Sequence, residues 1–247
     1  MSKKESIQEA QYEFPYHYLT STKGGVFSMT EYLQWGLMHQ SYIEYLTEKI
    51  SKLNFQKLLD AGCGEGRLLY EIEQKVSGKY LYGIDISSRA LHFGRGFTKQ
   101  SKFEEHDIIK SPTSELFDIC TSIEVIEHIP PEYIPKYVEN ISRSLVERGI
   151  LIITTPTDNY PVHRKHYQHF NSDKLNELLS PYFEITETIF LNKENYFSRM
   201  LARLLANKYF IMNQKQAKSF IYKIYKRHYL NATNRDGSRI LIVATRK

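Results

Sequence analysis

The sequence predicts an α/β fold, a doubly wound and mostly parallel sheet, on three observations. Short apolar runs alternate with stretches of helical period between Leu58 and Leu191, and alternating βα units imply a parallel sheet. The first run, Leu58-Leu59, leads through Asp60-Ala61-Gly62-Cys63-Gly64-Glu65-Gly66 into Arg67-Leu68-Leu69-Tyr70-Glu71-Ile72. Strand, glycine turn and helix in that order make a Rossmann-like unit. Carboxylates also stand at the ends of the first three expected strands, as Asp60, Asp85 and Asp107.

Each element follows from its own signals. Residues 1–50 form an N-terminal extension, expected to act as a cap. Gln11 to Leu19 is dense in aromatics (Tyr12, Phe14, Tyr16, Tyr18), and Ser28-Met29-Thr30-Glu31 reads as a capping box that opens a helix to about Ile50. Residues 51–191 form the core. Its second strand, Lys79 to Ile84, ends at Asp85; Ser87-Ser88 caps a helix through Ala90, Leu91 and Phe93. Lys102 to Glu105 is the third strand and Phe117 to Ile123 the fourth. Pro131 starts a helix whose Ile134, Val138, Ile141 and Leu145 share one face, with Gly149 as its end. Ile150 to Thr155 is a buried fifth strand stopped by Pro156, a helix covers Ser172 to Leu179, and Phe183 to Leu191 is the sixth strand. Residues 236–247 hold the last strand, Arg239 to Thr245, for seven in all.

Between the sixth and last strands, residues 192–235 are an insertion. A hairpin there needs only a few residues. Phe197, Leu201, Leu204 and Leu205, then Phe220, Ile221, Ile224 and Tyr225, fall at helical spacing. From Lys193 to His228 nine Lys/Arg face one acid, so this stretch carries +8 of a chain whose net charge is +5. It departs from the sheet edge where open α/β folds bind ligands, which makes it a lid beside an acceptor pocket.

The glycine turn selects its guest. GxGxG differs from the GxGxxG of a dinucleotide site, and Asp60 just before it would repel a pyrophosphate and attract an ammonium. S-adenosylmethionine (SAM) carries an amino group and a sulfonium and no phosphate. An acid after the second strand, Asp85, suits the two ribose hydroxyls.

On these residues the chain resembles the class I SAM-dependent methyltransferases, whose first motif is an acid followed by GxGxG. The resemblance implies an antiparallel last strand. It also implies that Asp107 binds the adenine amino group with Ile108 against the ring. The donor site is then Asp60, Ala61, Gly62, Gly64, Gly66, Asp85, Ile86, Asp107, Ile108 and Ile123.

After the fourth strand comes Ser122-Ile123-Glu124-Val125-Ile126-Glu127-His128-Ile129-Pro130. Glu124, Glu127 and His128 sit at i, i+3 and i+4, so one helical turn can gather them. His163, His166 and His169 crowd a later loop. Carboxylates and imidazoles together suit a divalent cation such as Mg2+. The ExxEH pattern is similar to two methyltransferase families over roughly Leu58 to Leu179. One O-methylates quinone precursors; the other methylates the 3′-terminal ribose of small RNAs with the same triplet and a later His, which here falls on His166. Glu-His before Pro also borders the donor pocket in metal-free methyltransferases, where acids near a helix start serve the dipole. In both versions Glu124, Glu127, His128 and His166 carry the chemistry, through a bound cation or with a neutral His as general base.

Composition narrows the setting. Two cysteines without CxxC spacing argue against a disulfide framework and for a reducing, cytoplasmic compartment. No run of about 18 apolar residues occurs. The expected function is O-methylation of a hydroxyl on an anionic or amphipathic small molecule, with peripheral membrane contact through the basic, aromatic insertion. The alternatives are RNA 3′-end ribose methylation, N-methylation of a small amine, and a SAM-binding partner protein without turnover.

Overall fold

A computed structural model describes residues 30–247 except 208 and 213, with side chains from residue 36 onward. The aromatic segment Gln11 to Leu19 and the Ser28-Met29 half of the capping box lie outside the described residues.

The chain runs α1 (Thr30–Ser51), β1 (Lys57–Ala61), α2 (Arg67–Glu73), β2 (Tyr80–Asp85), α3 (Ser88–Phe97), β3 (Lys102–Glu105) and β4 (Phe117–Ile123). Two single-turn 3-10 helices (Ile126–His128 and Pro131–Tyr133) lead to α4 (Ile134–Arg143), β5 (Leu145–Pro156), α5 (Ser172–Leu179) and β6 (Phe183–Lys193). The insertion holds α6 (Tyr196–Leu205) and α7 (Lys215–His228), followed by β7 (Asn231–Ala232) and β8 (Gly237–Arg246). The sheet order is β3-β2-β1-β4-β5-β8-β6-β7. The first five strands in that order are parallel, and β8 runs antiparallel between β5 and β6. An eighth strand joins the seven expected ones because Asn231 and Ala232 pair with Leu191 and Phe190 at the edge.

Period-two alternation puts successive residues on opposite faces. Leu59, Leu151, Ile153, Ile240 and Ile242 pack with α4 and α5, whereas Leu58, Ile152, Leu241 and Val243 pack with α1 and α2. One boundary differs from expectation. The helix after Pro131 ends at Arg143, where the Ser144 N–H bonds back to Asn140 and Ile141. Leu145 then pairs with Phe117, so Gly149 lies inside β5. A Cβ on Gly149 would stand 2.8 Å from the Val146 carbonyl oxygen, so glycine serves the kink of a strand.

The insertion packs against α1. Lys226 pairs with Glu44 at 3.0 Å, and the buried Asn192 amide donates to Tyr225 Oη (3.0 Å) and Ser41 Oγ (3.2 Å). Helices α1, α6 and α7 therefore form one layer on one face of the sheet.

Candidate functional site

The parallel strands all end at one edge, and the glycine turn lies there between β1 and α2. Gly62, Gly64 and Gly66 have φ of 79, 53 and 74°, the left-handed region that favours glycine. Space forbids side chains as well. A Cβ on Gly62 would lie 2.5 Å from Val125 Cγ2, and one on Gly66 would lie 2.7 Å from Phe103 Cζ. The turn is tied to β2: Gly62 and Cys63 N–H donate to the Ile84 carbonyl (2.8 and 2.9 Å), and Gly64 N–H to Asp85 Oδ2 (2.8 Å). Asp85 Oδ1 accepts from Ser87 N–H at 2.8 Å.

Asp60 is buried at the end of β1 and accepts a 2.7 Å bond from Thr121 Oγ1. Burial pushes its carboxyl up to about 7; Asp85 adds to the rise and Thr121 opposes it. Asp107 accepts from Ile109 N–H (3.0 Å) and pairs with Lys110 (3.1 Å). Next to it Ile108 is buried, while Ile86 stands exposed. Ile123 is half-buried at the end of β4, next to Glu124. Ala61, at the end of β1, is buried in the core on the α4 side.

The second half of the site follows β4. Glu127, His128 and His166 converge, with ligand-type atoms within 4.8 Å of one another. Glu127 is 1% exposed; its Oε2 accepts from Thr155 Oγ1 at 3.1 Å, and its Oε1 has no hydrogen-bond partner among the described residues. Burial, reinforced by Glu124, holds this carboxyl well above its ordinary range. The loop carrying His166 docks on the same turn through Tyr167 N–H to the Glu127 carbonyl (2.8 Å).

Hydrogen bonds assign the tautomers. The Tyr160 carbonyl can only accept, so His169 Nδ1, 3.0 Å away, carries a proton. With His169 Nε2 as the acceptor, His166 Nδ1, 2.9 Å away, is the donor, which leaves the His166 lone pair on Nε2. Burial first, then His128, Lys165, His169 and His163, holds His166 down to about 2, so it is neutral. His128 Nδ1 likewise donates to the Lys165 carbonyl (3.3 Å), and its Nε2 lies 4.0 Å from Glu127 Oε1.

Glu124 stands apart from this trio. Thr154 Oγ1 donates to its Oε1 and Arg239 Nε to its Oε2, both at 3.0 Å. With both oxygens engaged, the fourth residue of the expected set turns toward β8.

Sequence reasoning missed three participants. The sequence marks Thr155 only as strand, His169 only as one of three histidines crowding a loop, and Arg239 only as the start of the last strand. The spacing of three between His166 and His169 was a usable signal. Nothing local marked Arg239, whose partner Glu124 is 115 positions away.

A family model described as methyltransferase domain matches residues 54–219. The ubiquinone biosynthesis O-methyltransferase of Glaesserella parasuis serovar 5 (strain SH0165) is 30% identical over 129 residues, 48% of this chain and 53% of that protein. The chain thus spans about half the length of the curated relatives it matches. The magnesium protoporphyrin IX methyltransferase of Synechocystis PCC 6803, solved with bound SAM, has a TM-score of 0.61 at 16% identity, covering 100% of this chain and 99% of that one. The small RNA methyltransferase HEN1 has a TM-score of 0.62 at 15% identity, covering 85% of this chain and 25% of that one. At such identities the structural likeness is one of fold.

Proposed function

The chain belongs to the methyltransferase-domain family, whose methyl donor is SAM, and from that premise we propose that it methylates a hydroxyl of an anionic or amphipathic small molecule. The observation that carries this reading is the buried cluster of Glu127, His128 and His166 beside the donor turn. The two halves touch: Val125 fills the space that a side chain on Gly62 would need.

The residues fit the donor. Three glycines at positive φ shape the turn so that its backbone can face a nucleoside, and Asp60 regains its charge against an ammonium. When bound, SAM supplies an electrophilic methyl on a sulfonium. The residues proposed to hold it are Asp60, Ala61, Gly62, Gly64 and Gly66 at the amino-acid end, Asp85 and Ile86 at the ribose, and Asp107, Ile108 and Ile123 around the adenine. Their task is alignment, since reacting atoms must be held about 3–3.5 Å apart.

The residues also fit a divalent cation. A buried carboxyl oxygen with no hydrogen-bond partner among the described residues and two imidazoles close to it are the ligand types such a cation takes. Two nitrogens and one oxygen suit a transition metal such as Mn2+ or Zn2+ better than Mg2+, which prefers oxygen. Such a cation would lower the pKa of an acceptor hydroxyl beside it, by several units in the best case. Glu127, His128 and His166 would hold it. Tyr160 and His169 keep His166 in the required tautomer, and Thr155 orients Glu127, as outer partners of metal ligands do. Glu124 is proposed to position this turn.

Residues 1–50 and the insertion are proposed to cap the acceptor side. No helix among the described residues is long and apolar enough to cross a membrane. Exposed Tyr196, Phe197 and Phe220 among the arginines of α6 and the lysines of α7 support contact with an anionic membrane surface, where amphipathic acceptors partition. Two buried free thiols suit a cytoplasmic setting.

The same nine cations support a second reading, RNA 3′-end ribose methylation. The deciding experiment incubates the protein with isotopically labelled SAM and either fractionated lysate or short RNA, with and without chelator. Label on a small hydroxylated acid, lost with chelator, is the expected result. Label on RNA 3′ ends selects the second reading, and label on neither ends both.

A further inference from the structure

Arg239 is the third residue of β8 and pairs with Pro156, the last residue of β5, at the ligand-bearing edge of the sheet. A cation at a strand end normally reaches water. This side chain is only 12% exposed. Its guanidinium is fixed along one edge and one face. Nε donates to Glu124 Oε2 at 3.0 Å, and the Tyr42 ring lies 4.7 Å from Cζ.

The other edge is unused. Nη1 and Nη2 donate to no acceptor among the described residues, and neither is sealed from solvent. A guanidinium that served only to close an ion pair would meet its carboxylate with two parallel bonds, the arrangement that suits both groups. Here Thr154 takes the second carboxylate oxygen. Glu124 is held for this in the left-handed region, at φ 57°, with its N–H on the Thr154 carbonyl (3.1 Å). Strain of that kind persists where the surroundings enforce it, commonly at ligand sites. The chain has buried a cation, fixed its plane and left two donors without an acceptor among the described residues.

We infer that Arg239 is the anchor for a carboxylate on the acceptor, which its Nη1 and Nη2 bind as a fork while Glu124 and Tyr42 hold the guanidinium in plane. The inference rests on the O-methyltransfer reading of the site and adds the acceptor's second functional group. A planar monoanion matches the fork in width and shape. A phosphate dianion would bring twice the charge toward Glu124 and Glu127. The acceptor is thus a hydroxylated carboxylic acid, with its carboxylate on Arg239 and its hydroxyl at the Glu127, His128 and His166 cluster.

The test uses the full chain saturated with S-adenosylhomocysteine and two probes, 3,4-dihydroxybenzoate and its methyl ester, followed by calorimetry. The acid is expected to bind about tenfold or more tighter than the ester, the worth of one charge-assisted pair. Arg239→Gln is expected to weaken acid binding more than ester binding and so erase that preference; Arg239→Lys is expected to keep part of it. A structural role alone would shift acid and ester together. Equal binding of the two probes by the wild type, or binding of neither at millimolar concentration, overturns the proposal, as does an unchanged preference in Arg239→Gln or in Arg239→Lys if the first variant does not fold. Displacement of the acid by inorganic phosphate at lower concentration would assign the fork to phosphate instead. Failure of S-adenosylhomocysteine itself to bind would strike the methyl-transfer reading, a separate result.

Discussion

The two halves of the ligand edge are built from different materials. Between β1, β2 and β3 the contacts are made by backbone: three glycines at positive φ, two N–H groups on the Ile84 carbonyl, and Asp85 accepting from Gly64 and Ser87. Between β4, β5 and β8 they are made by side chains from distant segments: Thr154 and Arg239 on Glu124, Thr155 on Glu127, His169 on His166. A backbone site accepts one ligand shape and tolerates little change. A side-chain site can be respecified residue by residue, which suits an acceptor pocket on a shared donor scaffold.

Two variants should separate the halves most widely. Glu127→Gln is expected to lower methyl transfer by about 10²-fold or more while S-adenosylhomocysteine binding is retained. Chelator should do the same to the wild type and nothing further to the variant; equal turnover in variant and wild type would remove Glu127 from the chemistry. Gly62→Ala is the mirror case. With φ at 79° and Val125 Cγ2 at 2.5 Å, the methyl group should cost about 1–3 kcal/mol of stability and weaken donor binding. Adding Val125→Ala relieves the overlap and leaves the strained φ, so a partial recovery of Tm is expected. Full recovery would show that contact alone fixes the turn.

The same division sets what the amino-acid sequence reveals. A backbone site needs residue types with few substitutes, and Asp60 to Gly66 wrote them consecutively. Strands β3 and β4 and helix α5 were legible to the residue; for α5 a local cap, Asn171, marks the start. Gly149 misled because its need for space resembles a helix stop, whereas Leu145 already pairs with Phe117. At the acceptor side, Glu127, His128 and His166 share a legible residue type, but nothing in ExxEH tells that Glu124 turns away. That depends on an arginine 115 positions on, and long-range side-chain pairs leave no periodic trace.

A smaller effect sharpens the side-chain half. His169→Phe keeps a ring in the loop but removes the acceptor that orients His166 Nδ1. Loss of such an outer partner typically costs about 10–100-fold in metal affinity or activity. Titration with Mn2+ followed by methyl-transfer assays reads it, with donor affinity unchanged. Unaltered metal affinity would make His169 a packing residue.

The smallest predicted effect tests the backbone half through the buried carboxyl of Asp60. In the donor-free protein Asp60 is pushed up to about 7, so below that pH it holds a proton. Pairing with the donor's ammonium needs the carboxylate, and binding must release that proton. Affinity for S-adenosylhomocysteine should therefore rise with pH up to about 7 and flatten above it, by at most about tenfold per unit for one proton. Folding of the donor-free protein carries the opposite sign. The folded state holds this proton over a range where the unfolded chain has lost it, so Asp60 makes stability fall as pH rises from the ordinary carboxylate range toward 7. Asp60→Asn should remove both slopes at once. If calorimetry in two buffers of different ionisation heat finds no proton released near pH 6, Asp60 does not pair with the ammonium, and the donor half holds that group without it.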